Sequence, residues 1–436
     1  MISAKSVIAI LFLLLIFCNS TYCIEIFSVP VVTYGKVKFD SIFDTRQIPH
    51  LISTQDVVLL YPSPKLLDNR NKDINAHGRY NMAAIESRIG FKVEDFCIND
   101  DTKLLAIVEM DFVGAQGFIA VGALLSLINP FPNTLRMRYC YFKLDWEDES
   151  SLLVGHYSHL LCPEECQPET ISINTGAPIE LECRESQVRY AKRFGDVEFS
   201  FALHEQVDFV STGPGEASPQ YLRNAILPDI AAKLTYNWNE SSLGAILDFK
   251  RLIPRTVTFA NGNLFNHKES INGIIGEVYL DFKNETSELK VKLIYEDNAS
   301  EFASLGSYAV KTIDPVTDFR TYANIPAIAF WVEYIYDLSE CFQFGIFTGA
   351  TKKLGANQSL AIDSFTGEPI IFGLNPSLEY VYRVSPRIKY RNGPCEVGLE
   401  FEVTGAGSGK NNEFGTIPNP SLVNNFRVLT AVTYYF

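Results

Sequence analysis

Charged side chains recur at every second position within several segments of this sequence that otherwise carry apolar residues. Arginines that line a water-filled pore favour anionic solutes. Carboxylates beside them would add an electric field across such a pore. The alternative interpretation is that these charges are ordinary solvated residues that neutralise one another. The positions concerned are Glu86, Arg88, Glu109, Asp111, Arg136, Arg138 and Arg189.

The sequence predicts that two of these charged residues face each other across neighbouring strands. If the chain turns tightly at 96–101, Arg88 lies about opposite Glu109 on the neighbouring strand, within reach of its carboxylate. The arginines Arg136, Arg138 and Arg189 would extend this site into a basic patch at mid-depth of the pore.

Histidines invite a catalytic or metal-binding interpretation. His156 and His159 are three residues apart, which on a strand places them on opposite faces and argues against a shared metal ion. No arrangement of serine, histidine and acid stands at a recognisable spacing, although the members of a triad need not be close in sequence. We therefore expect neither an enzyme nor a bound metal or cofactor.

Cysteines bracket the segment 163–183. Cys162, Cys166 and Cys183 are three thiols, whereas a zinc site needs about four converging ligands. Because an exported protein meets oxidising conditions, we expect a disulfide among these cysteines that braces the loop, rather than a metal site.

The elements that would position these side chains are strands with a period of two. In 395–405, for example, Val397, Leu399 and Phe401 alternate with glutamates. About sixteen such segments are found, and no helical pattern of useful length accompanies them. Their approximate spans are 31–46, 79–95, 102–115, 135–146, 150–162, 184–194, 196–207, 230–239, 241–252, 271–284, 287–297, 326–338, 341–353, 378–392, 395–405 and 424–436.

The connections between these segments are alternately long and short. Short turns on one side and long loops on the other are typical of an outer-membrane barrel, whose turns face the periplasm. We therefore predict an all-β fold, a transmembrane antiparallel β-barrel of about sixteen strands that forms one domain over 24–436. The long connections are 47–78, 116–134, 163–183, 208–229, 253–270, 298–325, 354–377 and 406–423.

The first residues indicate export. Lys5 gives a positive start, the apolar run from Val7 to Phe17 is too short for a stable membrane span, and small residues follow. We predict a cleaved signal peptide at 1–23; an uncleaved helical anchor is the alternative.

Composition agrees with a barrel. Hydrophobic residues make up 47% of the chain and charged residues 20%, yet no later stretch contains the roughly twenty apolar residues of a membrane helix. The net charge of −14 argues against nucleic acid as a partner. The expected surroundings are outer-membrane lipid and lipopolysaccharide.

The last segment, 424–436, alternates up to its final residue. A C-terminal aromatic residue that closes an alternating strand is the kind of assembly signal that barrel-insertion machinery recognises. We therefore predict that Phe436 directs insertion of the barrel.

Several short motifs together resemble the DcaP-like outer-membrane porin family in order and spacing. Members of that family form trimeric barrels of about sixteen strands that pass small, often anionic, organic solutes. The resemblance thus implies a passive diffusion channel, a homotrimer, and pore-facing roles for the arginines named above. The sequence departs from the family in two respects: it lacks a helical segment before the barrel, and its third loop is bracketed by cysteines. The motifs are 34–40, 43–47, 87–91, 109–112, 135–138, 152–155, 187–190 and 199–203.

Two rival functions stay open at this stage. An outer-membrane enzyme of phospholipase or protease type would need a reactive serine with His156 or His204 at the barrel rim. A secreted β-rich adhesin would need no membrane.

Overall fold

Sixteen long strands dominate the computed structural model, which describes residues 23–26, 29–49, 57–114, 134–207 and 209–436. We number these strands β1 to β16 in chain order. Each pairs antiparallel with the next strand along the chain. They are β1 Val29–Asp44, β2 Arg88–Asn99, β3 Thr102–Gly114, β4 Thr134–Trp146, β5 Ser150–Ser158, β6 Arg184–Phe194, β7 Val197–Glu205, β8 Asp229–Trp238, β9 Ser241–Leu252, β10 Ile271–Lys283, β11 Ser287–Glu296, β12 Ala327–Asp337, β13 Phe342–Lys353, β14 Leu378–Asn392, β15 Cys395–Ser408 and β16 Ser421–Tyr435.

The sheet closes on itself, because β16 pairs antiparallel with β1 from Lys36 opposite Tyr435 to Asp44 opposite Arg427. Closure leaves no strand edge, which is what lets a β-structure satisfy its backbone groups in lipid. The predicted fold class, an antiparallel barrel of about sixteen strands, is confirmed.

The barrel is apolar on its outside and polar within. In β10, Ile274, Val278 and Phe282 are exposed, while Glu277 and Asp281 on the opposite parity are buried. A protein dissolved in water would show the reverse pattern. An outward apolar face therefore indicates that the hydrocarbon of a bilayer is the solvent of these strands.

Short elements occupy the connections. Tight turns alternate with long loops as predicted, and Gly195 and Gly393 adopt positive φ angles of +63° and +57° in two of the tight turns. No helix among the described residues is long and apolar enough to cross a membrane. The short strands are Cys23–Ile26, Arg79–Ala83, Thr212–Gly213, Glu216–Ala217, Val257–Ala260, Asn263–Asn266, Ser307–Ile313, Arg320–Ile325 and Ile371–Phe372; the helical turns are Glu164–Cys166, Gln220–Arg223 and Ser300–Phe302.

Two long connections turn into the barrel. The third loop, defined here as residues 159–183, is largely buried, as expected for a constriction loop. The connection after β11 does the same over its first part, where Ala299, Phe302 and Ser304 are fully buried. Glu182 donates its backbone N–H to the carbonyl of Phe302 at 3.2 Å, so the two connections pack together.

Three sequence predictions concern residues that are not described. The signal peptide at 1–23 lies outside the described residues except for Cys23. The connection 116–134 lies outside them except for Thr134, and 47–78 is described only in part. Cleavage of the signal peptide stays a prediction.

The barrel register corrects one expectation. Arg88 pairs with Asp111, and Glu109 pairs with Gly90, so Arg88 is not opposite Glu109. The hairpin turns at residues 100–101, between Asn99 and Thr102, two residues later than the centre of the predicted turn 96–101. Two extra residues in β2 between Val93 and Asn99 offset only part of the resulting shift in register.

Sidedness can be tested with the native cysteines. Cys97, Cys341 and Cys395 are exposed and lie at the ends joined by short turns, whereas Phe365 is 97% exposed in a long connection. We expect a membrane-impermeant maleimide to label Phe365→Cys on intact cells and to leave the wild-type protein unlabelled until the cells are opened. Labelling of the wild type on intact cells would reverse the assigned topology.

Phe436 joins the last strand to the first. Its backbone N–H donates to the Gly35 carbonyl at 3.1 Å, and the Gly35 N–H donates to the Phe436 carbonyl at 3.0 Å. Deleting Phe436 removes both bonds and the terminal aromatic ring, so we expect less heat-modifiable barrel in the outer membrane. Phe436→Tyr, which keeps bonds and ring, is the control and should assemble normally. If the deletion variant assembles as well as the wild type, Phe436 does not direct insertion.

Candidate functional site

The third loop crosses the lumen and is fastened to the wall formed by β8, β11, β12 and β15. Its main anchor is Glu180, which pairs with Lys292 at 2.7 Å and accepts a hydrogen bond from Trp331 Nε1 at 2.6 Å. Further contacts follow its length. They are Glu165 to Lys233, Glu169 to Lys290, the Glu169 N–H to Glu333, the Ile171 N–H to Glu400 and Asn174 to Glu402.

The charges of this loop are largely neutralised by the wall that it covers. Burial would raise the pKa of Glu165, but Lys233 and two hydrogen bonds outweigh it and lower that pKa to about 2. Glu182 is also buried, and Arg184 lowers its pKa. Glu180 differs, because burial raises its pKa to about 7 against the pull of Lys292. Most of the loop's carboxylates are thus paired with basic side chains of the barrel wall.

The opposite wall, on β2 to β6, carries the arginines predicted from the sequence. Two of them are paired. Arg136 holds Asp111 through two bonds of 3.0 and 2.6 Å, and Arg138 binds Glu109 at 2.7 Å. Glu109 and Asp111 are therefore direct ion-pair partners of these arginines and do not form a separate acidic patch.

The other two arginines have less compensation. Arg88 approaches Glu86 at 3.8 Å, and Glu86 already binds Lys36 at 2.6 Å and also Lys38. Arg189 donates to the Gln187 side chain at 2.9 Å and to the Ser158 carbonyl at 2.6 Å. Within the described residues no carboxylate forms an ion pair with Arg189.

Arg189 also faces open space. Together with Tyr157, Glu164 and Lys233 it lines a cavity of about 80 Å³ under the start of the third loop. Its guanidinium lies 5.4 Å from the centre of the Tyr157 ring. The direct hydrogen-bond partners of this cation are neutral, so it can bind an anion, while the carboxylates of Glu164 and Glu165 in the same cavity weaken that attraction.

Tyrosines complete this wall, and sequence reasoning missed them. Tyr157 lies 5.1 Å from Tyr139 and 4.6 Å from Tyr141, measured between ring centres. A bulge at Arg138 shifts the parity of β4, so that Tyr139 and Tyr141 line the interior and Cys140 is exposed. Strict alternation from Arg136 and Arg138 would have placed Cys140 inside, and no signal in the sequence marks the bulge.

The predicted disulfide around the third loop is not formed. Cys162, Cys166 and Cys183 are three buried free thiols, and the Cys162 thiol lies 3.3 Å from the Leu181 carbonyl. Burial raises the pKa of each thiol. Ion pairs with the barrel wall hold the loop in place without a covalent bridge.

A pair of histidines that the sequence did not predict forms inside the barrel. His159 follows the end of β5, and its ring lies 3.7 Å from that of His204 on β7, between ring centres. His204 is 1% exposed, which removes it from the barrel rim where an enzyme of the kind considered above would need it.

Comparisons with known proteins place the fold. No protein-family model matches the chain, and no curated protein matches its sequence. The outer membrane channel DcaP of Acinetobacter baumannii has a TM-score of 0.64 at 17% identity, covering 94% of this chain and 97% of that one. An anion-selective porin from Comamonas acidovorans has a TM-score of 0.51 at 10% identity, covering 93% and 99%. OmpF of Salmonella typhi, solved with daunomycin, has a TM-score of 0.51 at 13% identity, covering 95% and 100%.

These likenesses define a transmembrane barrel of the porin type. The similarity to DcaP-like porins that the motifs predicted is confirmed at the level of the fold. The site within it is a lumen with one wall covered by the third loop and an opposite wall of arginine and tyrosine.

Proposed function

We propose that this protein is an outer-membrane porin through which small hydrophilic organic anions diffuse passively. The observation that carries the proposal is the unequal pairing of charge in the lumen. Three glutamates of the third loop, Glu165, Glu169 and Glu180, bind lysines of the wall they cover. Arg189, by contrast, makes no ion pair among the described residues, and Arg88 shares Glu86 with two lysines.

This arrangement leaves positive charge on the wall of β2 to β6, opposite the wall to which the loop is fastened. An anion entering the lumen can contact Arg189 without breaking an ion pair, and three of the loop's glutamates are already paired with lysines. The carboxylate of Glu164, which lines the same cavity, offsets part of the positive charge. A fixed positive surplus along a pore raises the local concentration of anions. The net charge of −14 does not oppose this, because exposed charges are screened beyond about 8 Å at physiological salt.

The test is the reversal potential of the wild-type channel in a planar bilayer under a salt gradient, with potassium chloride and then potassium acetate. We expect conductance steps and a reversal potential of the sign produced by anion flow. A cation-selective channel would refute the anion preference, and absence of conductance from a correctly folded barrel would refute the porin function.

The same proposal implies a membrane location and an assembly route for the barrel. Its apolar band would lie in the outer membrane of a Gram-negative bacterium, among lipid and lipopolysaccharide, after delivery by barrel-insertion machinery. One similar structure, OmpT of Vibrio cholerae, is described in a trimer form. We propose a homotrimer here as well, to be checked by the sedimented mass of the detergent-solubilised protein.

A further inference from the structure

A group of ionisable side chains lies inside the barrel wall where the third loop leaves β5. We call it the buried cluster, and it comes from five different elements. Each member is at most 1% exposed. The members are His159, Glu185, His204, Asp229 and Asp248.

Several donor atoms of the cluster have no hydrogen-bond partner. Neither ring nitrogen of His204 is hydrogen-bonded within the described part of the chain, and the carboxylate of Asp248 faces only another carboxylate, that of Asp229. Buried polar atoms are nearly always satisfied, because an unsatisfied one costs about 1–3 kcal/mol or more. Partnerless nitrogen and oxygen atoms that converge on one point indicate a ligand between them.

The spacing fits a metal ion better than direct hydrogen bonds. His159 Nε2 lies 3.7 Å from Asp248 Oδ2 and 3.9 Å from Glu185 Oε2. Both distances exceed the range of a hydrogen bond. In a tetrahedral site, two ligands that each stand about 2.0–2.2 Å from one zinc ion are about 3.3–3.6 Å apart, so binding would draw these atoms together by a few tenths of an ångström.

The donor atoms form two overlapping groups of three. Those of His159, His204 and Asp248 all lie within 4.8 Å of one another, and so do those of His159, Glu185 and Asp229. His159 belongs to both groups, so an ion bound at its ring can draw ligands from either group.

The charge of the region also favours a cation. The carboxylates of Asp229 and Asp248 face each other. The nearby ammonium group of Lys250 attracts both of these carboxylates and that of Glu185, but it is also in an ion pair with Glu301, so one cation faces four carboxylates. Like charges buried together are costly unless a counter-charge lies between them.

We propose that the buried cluster is a binding site for one divalent transition-metal ion of the zinc type. Imidazole nitrogens together with carboxylates suit zinc and its first-row neighbours, whereas magnesium and calcium prefer sites made of oxygen alone. The site would tie the start of the third loop, at His159, to the wall of β6 to β9.

Binding has a local consequence. The Leu161 N–H donates to His159 Nδ1 at 3.1 Å, so the proton of the neutral ring is on Nε2. A metal ion on Nε2 moves that proton to Nδ1. The contact with Leu161 is then lost, and hydrogen exchange at the Leu161 amide should become faster in the loaded protein.

The test uses the full-length barrel folded in detergent, stripped with a chelator, incubated with zinc chloride and desalted. We expect about one zinc ion per chain by elemental analysis. His204→Gln and Asp248→Asn each remove a ligand with little change in size, and each should weaken zinc binding at least about tenfold in competition with a zinc-sensitive dye. Excess calcium should not displace the ion.

His77→Gln is the matched control, because His77 is an exposed histidine outside the cluster. It should bind zinc as the wild type does. Heat-modifiable migration shows which variants are folded, and a variant that fails to fold leaves the other to decide. Folded wild type without zinc, or folded variants that bind it equally well, would overturn the proposal, whatever the channel's selectivity.

Discussion

Replacing Arg88, Arg138 and Arg189 together with serine is expected to abolish most of the channel's preference for anions. Each guanidinium lies on the wall formed by β2 to β6, opposite the wall to which the third loop is fastened. At about 4 Å, one charge contributes about 1 kcal/mol to the free energy of a passing ion even at the dielectric constant of water, which is about fivefold in partition. The substitution also frees Glu109 from Arg138, adding an unpaired carboxylate to the pore.

The measurement is the reversal potential of single channels under a salt gradient. The matched control carries the same three substitutions at exposed arginines, Arg193, Arg223 and Arg391, which removes equal charge away from the lumen wall. The control should keep the wild-type selectivity. If the lumen variant also keeps it, these arginines have a structural role, and the selectivity must arise elsewhere, first of all in the third loop.

Replacing Lys292 with methionine is expected to detach the middle of the third loop. Lys292 lies between Glu180 at 2.7 Å and Glu277 at 3.7 Å, and all three side chains are at most 1% exposed. Removing one partner from a buried ion pair typically costs about 3–5 kcal/mol, because the remaining charge stays buried. We expect a lower heat-modification temperature and a larger, noisier conductance.

A second substitution separates the loop from the rest of the barrel. Adding Glu180→Gln to Lys292→Met removes one of the two stranded carboxylates, so stability should partly return while the loop stays loose. Lys103→Met, at an exposed lysine on β3, is the control and should change neither property. Unchanged stability and conductance in Lys292→Met would show that Glu180 does not anchor the loop.

The side-chain contacts within the lumen could be predicted from the sequence only in part. The sequence correctly separated outward from inward residues in most strands, because a period of two follows from the pleat of any strand. It predicted the wrong partner for Arg88, because the hairpin turns two residues later than expected and the irregularities in β2 offset only part of the resulting shift in register. It missed Tyr139 and Tyr141 for the same kind of reason, since one bulge at Arg138 reverses the parity of the residues after it.

The cysteines and histidines illustrate a second limit. The spacing of Cys162, Cys166 and Cys183 predicted a disulfide, yet the loop is held by ion pairs to strands more than a hundred residues away, such as that of Glu180 with Lys292. His159 and His204 are distant in the sequence and adjacent in space because β5 and β7 flank β6.

The sequence by itself determined the number and direction of the strands, the alternation of short and long connections, and the outward apolar face. These properties are local: each depends on the pattern within one strand or on the length of one connection. Tertiary structure alone decided which arginine is neutralised, where the third loop lies, and which ionisable groups meet in the buried cluster. Those outcomes depend on register and on contacts across the lumen, because a charge's effect is set by its distance from groups on other strands.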